Sequence, residues 1–378
     1  MLRIASYNVE NLFDRAKALA LPTWADGKVI LEQQARINEL FNEPAYTPAI
    51  VAEILDLLGK LGLLGRDDGG EYAIRRQNRG RLLTRHNDGT VDIVATGRLD
   101  WVGWVELKTE PVDELATRHT AMVMRDVHAQ ILGVIEAENR ISLRDFSSIM
   151  LQQVGGTPYH QVMVIDGNDE RGIDVGLLTA PGYEIVNIRS HVDDDDGQGL
   201  IYSRDCPEFT VVTPGGDELV VLVNHFKSKG FGVQSENDKR RRRQAVRTAA
   251  IYDRLIAAGH TKIAILGDFN DTPDDPGDPP GPLAPLLADT DLLDITTHPS
   301  FTADPNGRPG TFGNGTKSQK IDYILLSPDL YATVVGGMIF RLGVWGGTKG
   351  TLFPHYPTMT SKVHQASDHA AIYADLNL

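Results

Sequence analysis

Five short segments of the sequence share one pattern: an apolar run that ends in acids, asparagine or histidine. They are Asn8-Val9-Glu10, Ile135-Glu136, Asn224-His225-Phe226-Lys227, Gly267-Asp268-Phe269-Asn270 and Ser367-Asp368-His369. A sixth, Lys320-Ile321-Asp322-Tyr323, sets an acid inside a strand-like run. One such segment is ordinary, because a polar residue at a strand end is usually solvated. Six together offer only hard oxygen donors and imidazoles. Carboxylate and amide oxygens suit Mg²⁺, Mn²⁺ or Ca²⁺. Imidazole suits proton transfer near neutral pH. Side chains at sheet ends also inherit rigid placement from the strands behind them. The set therefore points to a hard-cation centre with acid–base groups beside it.

The elements that must hold these residues follow from periodicity. Residues 2–9 read as a short opening strand. Residues 16–64 read as helical, and 80–85, 90–96 and 101–107 as strand-like runs. A helix over 112–128 enters through Pro111. Ile131-Leu132-Gly133-Val134-Ile135 is a buried-strand run ending in Glu136, with a helix over about 139–151 after it. Period-two alternation then predicts strands at 160–165, 173–179, 184–190, 200–204, 208–213 and 218–225. A strong helix covers 236–258, and Ile263–Leu266 is a short apolar strand. Strands recur at 320–326, 332–340 and 369–376. Mixed strands with helices between them argue for a layered α/β sandwich.

Ser6-Tyr7-Asn8-Val9-Glu10, Gly267-Asp268-Phe269-Asn270, Ile321-Asp322-Tyr323 and Ser367-Asp368-His369 resemble the signature of the endonuclease/exonuclease/phosphatase superfamily, in the same chain order. That superfamily includes pancreatic-type deoxyribonuclease, AP endonucleases, neutral sphingomyelinases and inositol polyphosphate 5-phosphatases. Asn224–Gly230 and Gly133–Arg140 are similar to segments of bacterial extracellular nucleases. The resemblance covers residues 1–12 and about 130–378. It implies an α/β fold, a four-layer α/β/β/α sandwich of two mixed, mainly antiparallel sheets. It also implies roles. Glu136 is the main Mg²⁺ ligand, with Asn8, Glu10 and Asp368 completing or supporting the metal site. Asp268 orients or activates the attacking water, and Asn270 holds a phosphate oxygen. His369 faces the phosphate in a tautomer fixed by Asp322. His225 hydrogen-bonds the phosphate or helps to protonate the leaving oxygen. Glu138 would share a strand face with Glu136, so either could be the ligand; Glu136 is preferred because it ends the apolar run.

These roles suit the chemistry. A phosphodiester is anionic and repels nucleophiles, and a metal ion offsets that charge. A carboxylate beside an imidazole favours the charged ring and fixes which nitrogen is free. Arg171, Lys227 and Lys229 are further candidates for phosphate contact. The basic run Lys239 to Arg243 reads either as a solvated helix face or as a contact to a polyanion. The acidic run Asp193 to Asp196 lacks the spaced ligands of an EF-hand and reads as a solvated turn. Trp101, Trp104 and Trp345 read as core or rim packing, and nothing separates that from stacking on bases.

The bulk properties set limits. With 41% hydrophobic and 23% charged residues, the 378-residue chain is an ordinary globular protein. No apolar run approaches the roughly 20 residues of a membrane helix. The start offers no basic region followed by an apolar one, so a cytoplasmic location is expected, with a secreted mature form left open. The single cysteine, Cys206, excludes an internal disulfide and a thiolate metal cluster. A structural thiol is preferred there over a nucleophile. The net charge of −14 counts against passive nucleic-acid binding more than against a hydrolase. The expected organisation is one domain over 1–378, with a mostly helical insertion at 13–129 that carries a small strand group. The expected activity is Mg²⁺-assisted hydrolysis of phosphodiester bonds in nucleic acid, with DNA as the partner. No membrane and no obligate protein partner is marked. The rivals are a small-molecule or lipid phosphoester as substrate, and an inert binding module.

Overall fold

The apolar runs that dominate the sequence become the buried centres of two sheets. The computed structural model describes residues 1–10, 16–20, 24–109, 113–169, 172–230, 233–275, 277 and 279–378. Numbered along the chain, the strands are β1 (Leu2–Asn8), β2 (Ala73–Arg79), β3 (Leu83–Arg85), β4 (Val91–Ile93), β5 (Val102–Leu107), β6 (Ile131–Ala137), β7 (Gln161–Ile165), β8 (Asp174–Thr179), β9 (Glu184–Arg189), β10 (Glu208–Val212), β11 (Glu218–His225), β12 (Ile263–Asp268), β13 (Leu293–Asp294), β14 (Phe301–Thr302), β15 (Asp322–Leu326), β16 (Val334–Phe340) and β17 (Ala371–Leu376). The main helices are α1 (Trp24–Phe41), α2 (Pro48–Lys60), α3 (Glu114–Val127), α4 (Arg140–Asp145) and α5 (Gln234–Ala257). The chain divides into two units: Met1–Phe13, Asp113–Lys229 and Val233–Leu378 form the first, and Asp14–Val112 with Gly230–Gly232 the second.

The first unit is a mixed α/β fold. Its seven-stranded sheet runs β14-β16-β17-β1-β6-β8-β7, and its six-stranded sheet runs β13-β15-β12-β11-β10-β9. At the centre of the first, β1 lies parallel to β6 and antiparallel to β17. At the centre of the second, β12 lies parallel to β11 and antiparallel to β15. Successive side chains of a strand point to opposite faces, and the apolar residues divide accordingly. Ala5, Tyr7, Leu132 and Val134 pack with Val123, Met124 and Val127 of α3. Ile4, Ile131, Ile135 and Val175 meet Val221, Val223, Leu266 and Ile324 of the other sheet. Val220, Leu222, Ile263 and Ile265 meet Ala245, Ile251, Tyr252 and Leu255 of α5. Burying one Leu or Ile fully is worth about 1.5–3 kcal/mol, so these three interfaces hold the sheets in register.

Helix α3 begins where the sequence places a helix, and Asp113 caps it by accepting from the Ala116 amide at 2.9 Å. The sequence reading assigns it to the insertion; its apolar stripe instead packs within the first unit. Residues 200–204 form no strand. That stretch is held by a turn in which the Ile201 amide donates to the Asp194 carbonyl at 2.9 Å.

In the second unit α1 and α2 pack through Ile37, Phe41, Ile54 and Leu58 against Ala73, Trp101 and Val105. Two small sheets, β2 with β5 and β3 with β4, complete it. Strand β2 escapes a periodicity reading because Arg75, one of its inward residues, is charged. Its burial is tolerated because Asp67 pairs with it at 2.7 Å.

Strands β11 and β12 approach closely at Gly267, whose φ is +136° and where a Cβ would lie 1.9 Å from the Asn224 carbonyl oxygen. Gly267→Ala is expected to cost at least about 1–3 kcal/mol, read as a lower midpoint of urea unfolding. An unchanged midpoint would contradict this strand spacing.

Candidate active site

Register alone assembles half of the site. His225 ends β11, Asp268 ends β12 and Asp322 begins β15; their Cα atoms are direct partners across the three strands, His225 with Asp268 and Asp268 with Asp322. Each is followed by an aromatic residue that points the other way. Phe226, Phe269 and Tyr323 stack, with successive ring centroids 4.9 Å apart. The polar side chains thus stand on a dry aromatic floor. The other sheet supplies the rest. Asn8 ends β1 and pairs with Ile135 of parallel β6, so Glu136 lies next to it. The segment before β17 brings Asp368 and His369 to the same edge: the Ser367 hydroxyl donates to the Asn8 carbonyl at 2.8 Å, and the Asp368 amide donates to Glu10 Oε2 at 2.8 Å.

Asp268 is the hub. Its Oδ1 accepts from the Asn270 amide at 2.8 Å and its Oδ2 from Asn8 Nδ2 at 3.3 Å. His225 Nε2 lies 3.8 Å and His369 Nε2 3.9 Å from the same Oδ2, and His225 Nε2 lies 3.7 Å from Glu136 Oε1. Those three separations exceed hydrogen-bonding distance, so none of the three pairs is directly bonded. His369 Nδ1 bonds Asp322 Oδ2 at 2.8 Å, which leaves Nε2 facing the hub. Thr311 fixes Asp322 in turn, donating from Oγ1 to Oδ2 at 2.5 Å.

Electrostatics follow from burial. Asp268 is 2% exposed. Burial, then the neighbouring Asp322, push its carboxyl up to about 8 against the partial relief of His369. For His369 burial works against the charged ring, but Asp322 beside it prevails and holds the imidazole well above its ordinary value. This pair therefore retains protons that exposed groups would release.

The backbone marks the same residues. Among the described residues four non-glycines have positive φ: Glu10 (53°), His128 (50°), Glu136 (65°) and Asn270 (53°). Left-handed backbone at ordinary residues is uncommon and costly. His128 closes α3 as a left-handed cap. The other three are site residues named from the sequence. At Glu136 the ladder to β8 slips by one residue, a bulge that turns its side chain out of the strand's alternation.

Other expected residues have different fates. Lys229 forms an ion pair with Asp271. Lys227 is held by its backbone, its amide donating to Gln244 Oε1 at 2.8 Å. Arg171 lies outside the described residues; Asp174 nearby accepts from the Gly167 amide at 2.7 Å. The basic run is only in part free surface, at Lys239 and Arg242. Arg241 is fully buried and donates to Asp271 Oδ2 and to the Lys227 carbonyl, both at 3.0 Å, clamping the loops after β11 and β12. Arg243 pairs with Asp196 at 2.6 Å, and Arg247 with Asp194 at 2.6 Å. One pair, Arg243 with Asp196, thus joins the two runs, while Asp194 answers Arg247 further along the helix. Cys206 is buried, and burial pushes its thiol up. Sequence reasoning missed Thr311, Arg241, Asp271 and the aromatic floor. The signal for the floor was present: His225, Asp268 and Asp322 each precede an aromatic residue.

Among the described residues one cluster of side chains is close enough to hold a cation. Asp268, Asp322 and His369 offer ligand atoms all within 4.8 Å of one another. In that group His369 Nδ1 and Asp322 Oδ2 are already bonded to each other. Glu136, Glu10 and Asp368, which the resemblance implies as ligands, lie on the same edge and are less deeply buried; the Asp368 amide bonds Glu10, but the three do not form a cluster of ligand atoms as tight as that of Asp268, Asp322 and His369. The hard-oxygen donors fit Mg²⁺, Mn²⁺ or Ca²⁺. A further sign of unmet charge is Asp322 Oδ1, buried without a hydrogen-bond partner.

Fold and centre together define a mixed α/β protein with a carboxylate–imidazole centre at paired sheet ends. Residues 92–279 match the model of the endonuclease/exonuclease/phosphatase family. The matched stretch includes Glu136, His225, Asp268 and Asn270; it also reaches into β4 and β5, which the sequence reading left outside the resemblance. No curated protein matches the chain. Similar solved structures include an endonuclease/exonuclease/phosphatase from Bacteroides vulgatus (16% identity, 70% of this chain and 91% of that one, TM-score 0.48). Another is the mannosyl-6-phosphatase of Bacteroides thetaiotaomicron (15% identity, 70% and 92%, TM-score 0.48). A third is truncated TDP2 of Caenorhabditis elegans (14% identity, 69% and 90%, TM-score 0.45). At these scores the likenesses carry no functional weight.

Two outcomes are expected. A carboxyl raised in the fold contributes stability that is lost as pH rises through its folded value. Relative to Asp268→Asn, the metal-free protein should lose stability from pH 3.8 to about 8, and a divalent cation should restore it. Parallel pH profiles of the two urea midpoints would refute the raised carboxyl. Arg241→Met should destabilise by about 3–5 kcal/mol, because it leaves Asp271 buried and less well compensated; the same midpoints measure it.

Proposed function

We propose that the chain is a divalent-cation-dependent phosphoester hydrolase, and that it cleaves phosphodiester bonds in nucleic acid, most directly DNA. The observation that carries this reading is the register of three strands that sets His225, Asp268 and Asp322 side by side, with His369 facing the Asp268 carboxylate and Glu136 facing His225. The family match over residues 92–279 supports it. We read the stacking of helix, sheet, sheet and helix as that family's four-layer sandwich, and residues 14–112 as an insertion into it. The retention of the whole polar set favours an enzyme over an inert binding module.

Glu136, Glu10 and Asp368 would hold the cation, which supplies charge neutralisation at the phosphate. Glu136 takes this role ahead of Glu138 because the bulge turns it toward His225. Asp268, hydrogen-bonded by Asn8 and Asn270, is placed to orient a water and, in its ionised form, to accept its proton. His369, kept charged by Asp322, stabilises negative charge on the phosphate oxygens, with Nε2 free to donate. His225 Nε2 lies between Glu136 and Asp268 and serves the leaving oxygen. Asn270 Nδ2 donates to the Phe226 carbonyl at 3.1 Å, so its proposed phosphate contact needs that bond to be exchanged.

A small or lipid phosphoester is the second reading. It is favoured by one observation: Lys229 and most of the basic run are spent on internal carboxylates.

The test is nicking of supercoiled plasmid by the full chain with Mg²⁺, Mn²⁺ or Ca²⁺, with EDTA and Asp268→Ala as controls. Cation-dependent nicking that Asp268→Ala lowers by about 10²–10⁴ supports the nuclease. Hydrolysis of bis-p-nitrophenyl phosphate without nicking moves the substrate to a small or lipid ester. Loss of neither activity in Asp268→Ala sinks the assignment of the site.

A further inference from the structure

The second unit carries an arginine-rich ribbon that the proposed active site does not use. From Tyr72 to Asn87 the chain has Arg75, Arg76, Arg79, Arg81 and Arg85 and no acid. The structure sorts these residues. Arg75 and Arg85 turn inward and share Asp67, at 2.7 and 2.6 Å. Arg76, Arg79 and Arg81 stay exposed. Strand β2 pairs with β5 so that Arg76 stands opposite Trp104 and Arg79 opposite Val102. Cross-strand partners share a face, so this face presents Trp104, Val102 and Arg76 with Ile74 and Glu106, and Arg79 beyond the bulge that follows Gln77. Trp104 is 45% exposed, whereas Trp101 is fully buried against Phe41.

Charge distinguishes this surface from α5. Arg76 meets one acid, Glu106, at 3.1 Å across the ribbon. Arg79 Nη2 donates to the Leu99 carbonyl at 3.3 Å and Arg81 Nε to the Leu83 carbonyl at 3.1 Å. Among the described residues neither has a carboxylate partner. In a chain of net charge −14, Arg79 stands opposite Val102, two positions along β5 from the exposed indole of Trp104, without a carboxylate partner, and Arg81 follows just beyond the strand. An indole offers a flat face to an unstacked base, and flanking arginines meet the phosphates on either side.

We infer that the β2–β5 ribbon is a docking surface for single-stranded nucleic acid. The inference rests on the reading of the protein as a nucleic-acid phosphodiesterase and adds a contact outside its catalytic centre. A base stacked on Trp104 must be free of its own helix, which selects single strands over duplex.

The experiment is fluorescence anisotropy of labelled oligodeoxythymidylate with the full chain in EDTA, so that binding is read without cleavage. Trp104→Ala should weaken binding roughly tenfold or more, and Trp104→Phe should recover most of it. Arg79→Ala with Arg81→Ala should lower the slope of log affinity against log salt by about 0.7 for each lost contact. Hydrolysis of bis-p-nitrophenyl phosphate should be unchanged in all three variants, which shows that they fold. Trp104-dependent binding supports the surface whether or not plasmid is nicked, so the two readings fail separately. Equal affinity for duplex of the same length overturns the proposal. So does unchanged binding in the variants, or Trp104-dependent binding to anionic phospholipid vesicles without binding to the oligonucleotide.

Discussion

The constraint on which the first unit depends is the burial of Asp268. A carboxylate taken out of water is costly unless it is paired and hydrogen-bonded. Around Asp268 the fold supplies the Asn270 amide, the Asn8 side chain and two imidazoles, but also Asp322 and Glu136, which repel it. The balance leaves a carboxyl pushed up to about 8. Such a cluster is poorly compensated when built of side chains alone, and hard oxygen donors beside it are a natural place for a cation. The aromatic stack of Phe226, Phe269 and Tyr323 keeps water from relieving the charge from below. Shielding that raises the carboxyl also strengthens each electrostatic contact made inside.

Backbone strain is concentrated where the chemistry is expected. Gly267 lets β12 pass within contact of the Asn224 carbonyl just before Asp268. One residue past Phe269 the chain turns through left-handed Asn270; Glu10 turns likewise beyond β1, and Glu136 at the bulge near the end of β6. Each turn re-aims a side chain that a regular strand would send to the wrong face. The cost falls on local conformation, and the three packed interfaces behind the strands absorb it. This division of labour is common: rigid strands set position and irregular residues set direction.

Much of this was legible in the sequence. Apolar runs ending in polar residues located the strand ends, and most of the named residues do gather at one edge of the two sheets. The chemistry of the donors was readable because residue type dictates it. What the sequence concealed was partnership. Arg241 looks like its neighbours in a basic run, yet it is buried and clamps two loops, because position on the helix decides which side meets Asp271. Asp194 and Asp196 look like a solvated turn, yet they answer Arg247 and Arg243 about fifty residues downstream. Lys229 looks free for phosphate and is tied to Asp271. Strand β2 hides because an inward arginine breaks the apolar pattern, and only the distant Asp67 makes that arginine tolerable. Pairings across long sequence separation leave no local periodicity to read.

The pairing of charges also bears on how a polyanion could be handled at all. A net charge of −14 repels one at long range. Salt, however, screens exposed charges beyond about 8–10 Å, so local arrangement matters more than the sum. Within the first unit most arginines of the basic helix are matched by acids, and positive charge at the proposed centre comes from His369 and from whatever cation the carboxylates hold. Positive charge of that kind is set by protonation and by metal, and a surface of fixed arginines would respond to neither. Recognition through such a centre is short-ranged, and it is strongest where burial has already removed the competing water.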